Sequence, residues 1–191
     1  MNKIYLVLTR STLASIFISC LIFVPCNAQV IPDKTLRQNT AIRLDKNTTI
    51  IEGGSQVGSN LFHSFLEFSV IKDSTAFFNN TNNIQNIIAR VTGDSISNID
   101  GLIRANGNAN LFFINPNGII FGQNARLNIG GTFVGSTASS INFANGFKFS
   151  AKNPQPKPLL TISVPIGLEF QGIPATIEVK GTGGATRFSE L

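Results

Sequence analysis

The sequence predicts an all-β protein of one domain, from its composition, its turn residues and the spacing of its apolar stretches. Of the 191 residues, 42% are hydrophobic but only 13% are charged, which excludes a disordered chain or a coiled coil because both need more charge. Asn, Ser, Thr and Gly supply the polar surface, and they favour turns over helices. Short apolar stretches recur at intervals of roughly ten residues, as in proteins built from short strands.

The first 28 residues have the pattern of a secretory signal peptide. Lys3 and Arg10 form a basic start, residues 13–24 are mostly apolar, and the small residue Ala28 precedes the expected cleavage site. The apolar run is shorter than the roughly 20 residues that span a bilayer. We therefore expect export by the Sec translocon and a mature secreted domain of residues 29–191.

Removal of the signal peptide changes the cysteine content and the charge of the chain. Both cysteines, Cys20 and Cys26, lie within it, so the mature domain has no thiol. Lipid attachment at one of these cysteines is a less favoured alternative. Two of the 15 basic residues also leave, and 13 basic against 10 acidic residues give a net charge of +3. Since no basic run remains, we expect no binding to nucleic acid.

Strands with one apolar face are predicted wherever apolar and polar residues alternate. This alternation occurs at residues 66–70, 127–129, 141–143, 147–149, 160–164 and 177–179. Residues 111–114 are apolar on both faces, which predicts a strand covered on both sides, and residues 83–89 are the one segment with helical character. The spacing fits a sandwich, a barrel or a β-solenoid, and the uncharged Asn and Gly corners favour the solenoid.

Residues suited to catalysis or metal binding do not cluster along the chain. The single histidine, His63, is flanked by aromatic residues, which favours a structural role. The ten carboxylates are scattered without a glycosidase-like pair, and no His or Cys cluster suits zinc. The glycine-rich stretch 181–184 lacks the Gly-Lys-Ser/Thr ending of a phosphate loop. We therefore expect no enzymatic activity, no cofactor and no metal.

The most specific segment consists of Asn115, Pro116, Asn117, Gly118 and Ile119. Pro116 sets the backbone angle φ for the first corner of a β-turn, and Asn117 suits the left-handed region at the second corner. Gly118 closes the turn, and the side chain of Asn115 can accept hydrogen bonds from backbone amides ahead of it. The segment predicts a rigid corner between two apolar strands.

These five residues resemble the NPNGI motif of the filamentous-haemagglutinin N-terminal domain, the secretion domain of two-partner secretion exoproteins. A second resemblance to this family lies in Asn60, Leu61, Phe62, His63, Ser64 and Phe65. The similarity continues at residues 90–93, 97–101, 130–138 and 164–168, covers roughly residues 39–179, and has the phrasing of the cyanobacterial branch. It implies a right-handed parallel β-helix with extra antiparallel hairpins that form a cap.

The resemblance also implies a function in a Gram-negative cell. The family's domain is recognised in the periplasm by the POTRA domains of an outer-membrane β-barrel transporter. It leads a haemagglutinin-like or adhesin-like exoprotein to the cell surface, where it nucleates β-helix folding. By this resemblance residues 115–119 belong to transporter recognition, and residues 60–65 are structural.

Two departures from the family pattern leave alternatives open. Residues 79–84 stand where some members carry an NPNL motif, and the chain ends at Leu191, where family proteins usually continue. A truncated exoprotein and a stand-alone secretion module are both compatible with this. Two other functions also stay open: a surface adhesion module that binds cell-surface or matrix glycans, and a β-helix enzyme that acts on polysaccharides, which would need carboxylates in one groove.

Overall fold

The computed structural model describes residues 30–181, and this part of the chain is all-β, without a helix. The strands are β1 (Val30–Pro32), β2 (Thr40–Asp45), β3 (Thr48–Gly53), β4 (Ser55–Val57), β5 (Asn60–Phe68), β6 (Thr75–Phe78), β7 (Asn86–Val91), β8 (Ser97–Ile99), β9 (Leu102–Ala105), β10 (Asn110–Ile114), β11 (Ile119–Phe121), β12 (Arg126–Asn128), β13 (Phe133–Ser136), β14 (Ser140–Phe143), β15 (Lys148–Ser150), β16 (Pro165–Glu169) and β17 (Ile177–Val179). The predicted signal peptide and most of the stretch 181–184 lie outside the described residues.

Stacked coils form a β-solenoid of about three turns. The strands of the solenoid form three sheets: the first contains β1, β4, β5, β7, β10 and β13, the second contains β2, β3, β6, β9 and β12, and the third contains β8, β11 and β17. In each coil the chain passes through the first sheet, then the third and then the second, as in β7, β8 and β9 followed by β10, β11 and β12. Strands of successive coils pair in parallel, so that Asn60 lies beside Asn86, and Asn86 beside Asn110. The predicted solenoid is confirmed, and the sandwich and barrel alternatives are excluded.

Antiparallel strands complete the fold at two places, which confirms the expected hairpins. At one end of the solenoid, β1 and β4 pair with β5, and β2 pairs with β3. On the side, β15, β14 and β16 form a separate antiparallel sheet, which we call the cap sheet. The described part of the chain contains no helix long and apolar enough to cross a membrane.

The first sheet is covered on both faces, as residues 111–114 predict. Leu111 and Phe113 point into the solenoid, where they join a core of Phe, Ile and Val side chains. Ile114 and the half-buried Phe112 face the opposite way and pack with the cap sheet residues. Because alternate side chains of a strand point to opposite faces, this sheet divides the protein into two apolar clusters.

The predictions for residues 83–89 and 160–164 are wrong. Residues 83–89 form no helical turn, because β7 begins at Asn86 and pairs with strands on both sides. Residues 160–164 form no half-buried strand, since Ile162 is 72% exposed and Val164 is 58% exposed. The alternation there is real, but only Leu160 is half-buried, where it packs with the cap sheet residues, while Ile162 and Val164 stay in solvent.

Candidate functional site

The corner at residues 115–118 connects β10 of the first sheet to β11 of the third sheet. The amide of Gly118 donates a hydrogen bond to the carbonyl oxygen of Asn115 at 3.1 Å, which closes a β-turn. The left-handed conformation expected at Asn117 is wrong: Gly118 adopts the positive φ, +125°, and Asn117 does not. A turn with ordinary φ at both central residues and glycine at the fourth position accommodates Pro116 without strain.

Side chains of the corner join it to the coil beneath. Asn115 Nδ2 donates to the carbonyl oxygen of Ser95 at 3.0 Å and to Ser97 Oγ at 2.9 Å. Asn115 Oδ1 accepts from the amide of Asn117 at 3.0 Å, and Asn117 Nδ2 donates to the carbonyl oxygen of Gly93 at 2.6 Å. Both side chains therefore serve bonds within the fold.

Most residues of the motif 115–119 are also buried. Asn115 and Ile119 are fully buried and Gly118 is buried, whereas Pro116 and Asn117 are half-buried. In the folded domain, most of the predicted recognition motif is therefore out of reach of a partner.

The second motif, residues 60–65, is entirely buried within β5. Leu61 and Phe65 belong to the core inside the solenoid, and Phe62 packs on the other face against the cap sheet. The two motifs are not in direct pairing, because β7 lies between β5 and β10. Ser64 and Ile114 are both aligned with Arg90 of β7, so the corner that follows Ile114 lies near the same end of the first sheet as Ser64.

His63 lies in an apolar site that favours the neutral ring. Its Nδ1 is 3.1 Å from Thr40 Oγ1, and no residue in the described part of the chain forms a hydrogen bond with its Nε2. Phe65 stacks on the ring and Phe78 meets it edge-on. Burial lowers the pKa of His63 from 6.5 to about 3. Without a neighbouring carboxylate to orient it, this histidine lacks the surroundings of a catalytic base.

An asparagine ladder that the sequence analysis missed runs along the first sheet. Asn86 Nδ2 donates to Asn60 Oδ1 at 2.9 Å, and Asn110 Nδ2 donates to Asn86 Oδ1 at 3.0 Å. The ladder continues at one end to the amide of Thr132, which donates to Asn110 Oδ1 at 2.9 Å. The signal in the sequence was an asparagine before an apolar stretch, repeated after 26 and then 24 residues.

A second contact between asparagines lies in the region of the missing NPNL motif. The amide of Asn106 donates to Asn80 Oδ1 at 2.9 Å, and Asn106 Nδ2 donates to Asn79 Oδ1 at 3.2 Å. These bonds connect the turns of two successive coils. The region is thus part of the structural framework of the folded domain.

Arg90 and Asp33 organise a polar network that no sequence pattern indicated. Arg90 Nε donates to Ser64 Oγ at 2.8 Å and Nη2 donates to Thr35 Oγ1 at 2.8 Å, while Nη1 donates to the carbonyl oxygen of Ser150. Its guanidinium also lies 4.0 Å from the centre of the Phe149 ring. Arg90 thereby links the first sheet to the cap sheet and to the segment that follows β1.

Asp33 completes this network as its only carboxylate. Its oxygens accept from Ser64 Oγ at 2.6 Å and from Thr92 Oγ1 at 2.7 Å. Burial raises the pKa of Asp33, but hydrogen bonds from Ser64, Thr35 and Thr92 outweigh burial and hold its pKa below the ordinary value. Burial lowers the pKa of Arg90 to about 10, and the Asp33 carboxylate opposes that shift. Both groups are charged at neutral pH.

Two shallow grooves on the described surface each contain at most one carboxylate. One, of about 300 Å³, lies between Arg37, β4 and residues 158–160. The other, of about 330 Å³, is lined by Asp100, Asn124 and Lys180 among others. Within residues 30–181, no group of three His, Cys, Asp or Glu residues could hold a metal ion.

Comparison with known proteins finds similarity to secretion domains. A family model described as "TPS secretion domain" matches residues 28–189. The crystal structure of the HMW1 secretion domain from Haemophilus influenzae matches 58% of this chain at 29% identity with a TM-score of 0.48, and the match spans 28% of that chain. No curated protein matches the chain. Because the family model covers almost the entire predicted mature domain, the chain belongs to the TPS secretion domains, the N-terminal domains of two-partner secretion exoproteins.

Proposed function

We propose that this domain targets a haemagglutinin-like or adhesin-like exoprotein to the POTRA domains of its outer-membrane β-barrel transporter, and then nucleates β-helix folding at the cell surface. Membership of the TPS secretion domains, with a match over residues 28–189, carries this proposal. The chain enters the periplasm through the Sec translocon and loses its signal peptide near Ala28. The role requires no catalysis and no cofactor.

The burial of the corner supports recognition of the chain before it folds. The side chains of Asn115 and Asn117 donate their hydrogen bonds to Ser95, Ser97 and Gly93. Ile119 is fully buried. A transporter would reach these groups only in an extended chain. An extended chain with apolar residues at alternate positions can add as a strand to the sheet of a partner, with backbone hydrogen bonds supplying affinity.

The strand order supports a role in folding. The solenoid sheets end in β13, β12 and β17, and each of these strands has a neighbour on one side only among the described residues. At the other end, β1, β2 and β4 cover the solenoid with antiparallel pairing. The solenoid therefore begins with antiparallel strands and ends in parallel strands, on which further coils can pair in the same way. Each added coil buries apolar surface, at about 25 cal/mol per Å², so folding can propagate as the chain emerges.

The test compares the secreted fraction with the stability of the folded domain. In the test variant, Asn115, Pro116, Asn117 and Gly118 are all replaced by alanine, and Ile103→Ala serves as a core control because Ile103 is 1% exposed inside the solenoid. Secretion is measured in cells that carry the cognate transporter, and the free energy of unfolding is measured by urea titration of the purified chains.

Recognition of the corner predicts that the four-alanine variant is secreted less than its stability explains, with precursor retained or degraded in the periplasm. If the variant lies on the line defined by Ile103→Ala and other core variants, the corner supports the fold only. If deletion of the transporter leaves secretion of the wild-type chain unchanged, the proposed function itself is wrong.

A further inference from the structure

The groove of about 300 Å³ beside β4 has the character of a binding site for a protein segment. We call it the Arg37 groove; its lining residues are Arg37, Gln38, Ser55, Gln56, Val57, Pro158, Leu159 and Leu160. Leu159 is 80% exposed, so its side chain is available at the rim. The apolar surface continues to Ile162, whose Cγ2 lies 3.1 Å from where a Cβ on Gly58 would stand.

Both walls of the groove are held by hydrogen bonds. On one side, the amide of Gln38 donates to Ser55 Oγ at 3.1 Å, and Ser55 Oγ donates to the carbonyl oxygen of Gln38 at 2.9 Å. On the other side, Asn60 Nδ2 donates to the carbonyl oxygens of Thr161 at 3.1 Å and Ser163 at 2.8 Å. A preformed groove needs little ordering when a ligand binds, which favours affinity.

The same bonds fix the direction of the exposed apolar residues. Thr161 is buried, whereas Ile162 and Val164 are exposed. The amide of Ser163 donates to Thr161 Oγ1 at 2.9 Å, and this bond together with the two from Asn60 holds the segment in a bend that leaves Ile162 and Val164 in solvent. Exposed apolar residues that are rigidly presented next to a groove are typical of an interaction surface.

The charges of the groove define the chemistry of its ligand. Arg37 is exposed and is the only charged residue of the lining. Lys157, which directly precedes Pro158 of the lining, is exposed as well, so a second cation lies next to the groove in the chain. The nearby Asp33 is engaged by Ser64 and Thr92. The groove therefore complements an anion next to an apolar group.

We propose that the folded domain binds, in the Arg37 groove, a segment of a partner protein in which a carboxylate adjoins a leucine-sized side chain. The apolar side chain packs on Val57, Leu159 and Leu160, and the carboxylate pairs with Arg37. A concave, rigid groove suits an inserted side chain better than a flat bilayer surface. A symmetric dimer with groove facing groove would bring Arg37 of one copy towards Arg37 of the other, which disfavours self-association through this face. This binding belongs to the folded state and goes beyond recognition of the extended chain.

The probe is a fluorescein-labelled peptide of alternating Glu and Leu, and a peptide of alternating Lys and Leu is its charge control. Binding to the purified full-length secreted chain is followed by fluorescence anisotropy at low and high salt. The test variants are Arg37→Glu and Leu159→Ser, and the matched controls are Arg126→Glu on β12 and Leu44→Ser on β2, since Arg126 and Leu44 are exposed. All four substitutions are at the surface, so thermal unfolding should show intact folds.

We expect the acidic peptide to bind at least about tenfold more tightly than the basic one, and its affinity to fall with salt. Arg37→Glu and Leu159→Ser should each weaken it by about tenfold, while Arg126→Glu and Leu44→Ser leave it unchanged. Equal binding of the two peptides, or equal effects of test and control variants, would overturn the proposal. Two further outcomes would overturn it, each in the absence of peptide binding. One is dimerisation in the ultracentrifuge, and the other is binding to phosphatidylglycerol vesicles, if Arg37→Glu and Leu159→Ser abolish it.

Discussion

Asn86 lies between two other asparagines, donating to Asn60 Oδ1 at 2.9 Å and accepting from Asn110 Nδ2 at 3.0 Å. The three residues belong to three successive coils, so one row of amide side chains fixes the register of β5, β7 and β10. A one-residue slip would also exchange the two faces of the first sheet. The ladder therefore protects the division between the solenoid core and the cap cluster.

Asn86→Ala should destabilise the domain by about 2–4 kcal/mol, because it leaves polar atoms of the buried Asn60 and the half-buried Asn110 without their partner. The free energy of unfolding from urea titration provides the measurement. Asn98→Ala on β8 is the control, since Asn98 is exposed and its loss should change stability by less than about 0.5 kcal/mol. Equal effects of the two substitutions would show that the ladder does not stabilise the fold.

Acidification should weaken the fold through His63. Its pKa is about 3 in the folded domain and 6.5 as an ordinary value, so between these pH values the unfolded chain binds a proton that the folded chain excludes. The contribution of His63 to the free energy of unfolding is therefore constant above pH 6.5. It decreases as the pH drops further, and at pH 5 the loss is about 2 kcal/mol. Urea titrations at pH 7, 6 and 5 measure the slope.

His63→Gln is the control for this pH dependence, because glutamine does not titrate. Its stability at pH 7 is expected to be lower, since the packing against Phe65 and Phe78 is lost, but its change between pH 7 and 5 should be smaller than that of the wild type. Parallel pH profiles for the two chains would assign the acid sensitivity to another group.

Arg90→Met should cost about 2–4 kcal/mol, because it removes a fully buried guanidinium, and hydrogen bonds made by a charged group are worth about 1.5–3 kcal/mol each. The bonds lost are those to Ser64 Oγ, Thr35 Oγ1 and the carbonyl oxygen of Ser150. Arg104→Met is the matched control, because Arg104 stacks on Phe77 at 3.9 Å and is half-buried; such a contact is worth about 0.5–1 kcal/mol. Thermal unfolding of both variants gives the comparison, and a smaller loss for Arg90→Met would contradict a central role of the network.

Neighbouring phenylalanines of β10 should respond differently to a buried charge. Phe113 is 1% exposed inside the solenoid, whereas Phe112 is half-buried beneath the cap sheet. Phe113→Asp should therefore cost more than about 4 kcal/mol or prevent folding, and Phe112→Asp should cost less because its carboxylate can reach water. Circular dichroism and urea titration measure both, and the reverse order would mean that the two faces of β10 have been assigned incorrectly.

Some parts of the fold and the site were accessible from local sequence. Low charge with recurring short apolar stretches predicted the all-β class, and residues 111–114 predicted a strand covered on both sides. Asn115, Pro116, Asn117 and Gly118 predicted the position of a tight corner, because Pro restricts φ and Gly tolerates positive φ wherever they occur. The turn geometry was wrong at Asn117, since the positive φ falls on Gly118. Both residues tolerate that conformation, and pairing of the flanking strands decides between them.

The sequence by itself determined the conformational preferences of short segments, and only the tertiary structure decided which segments meet. Arg90 finds Thr35 and Ser150 at separations of 55 and 60 residues, and the asparagine ladder depends on coils of unequal length. The exposure of Ile162 and Val164 was likewise not readable, because alternation shows that a strand has an apolar face but not whether another element covers it. Contacts between coils depend on register and loop length across the whole chain, whereas a local pattern reports only the few residues that interact along the backbone.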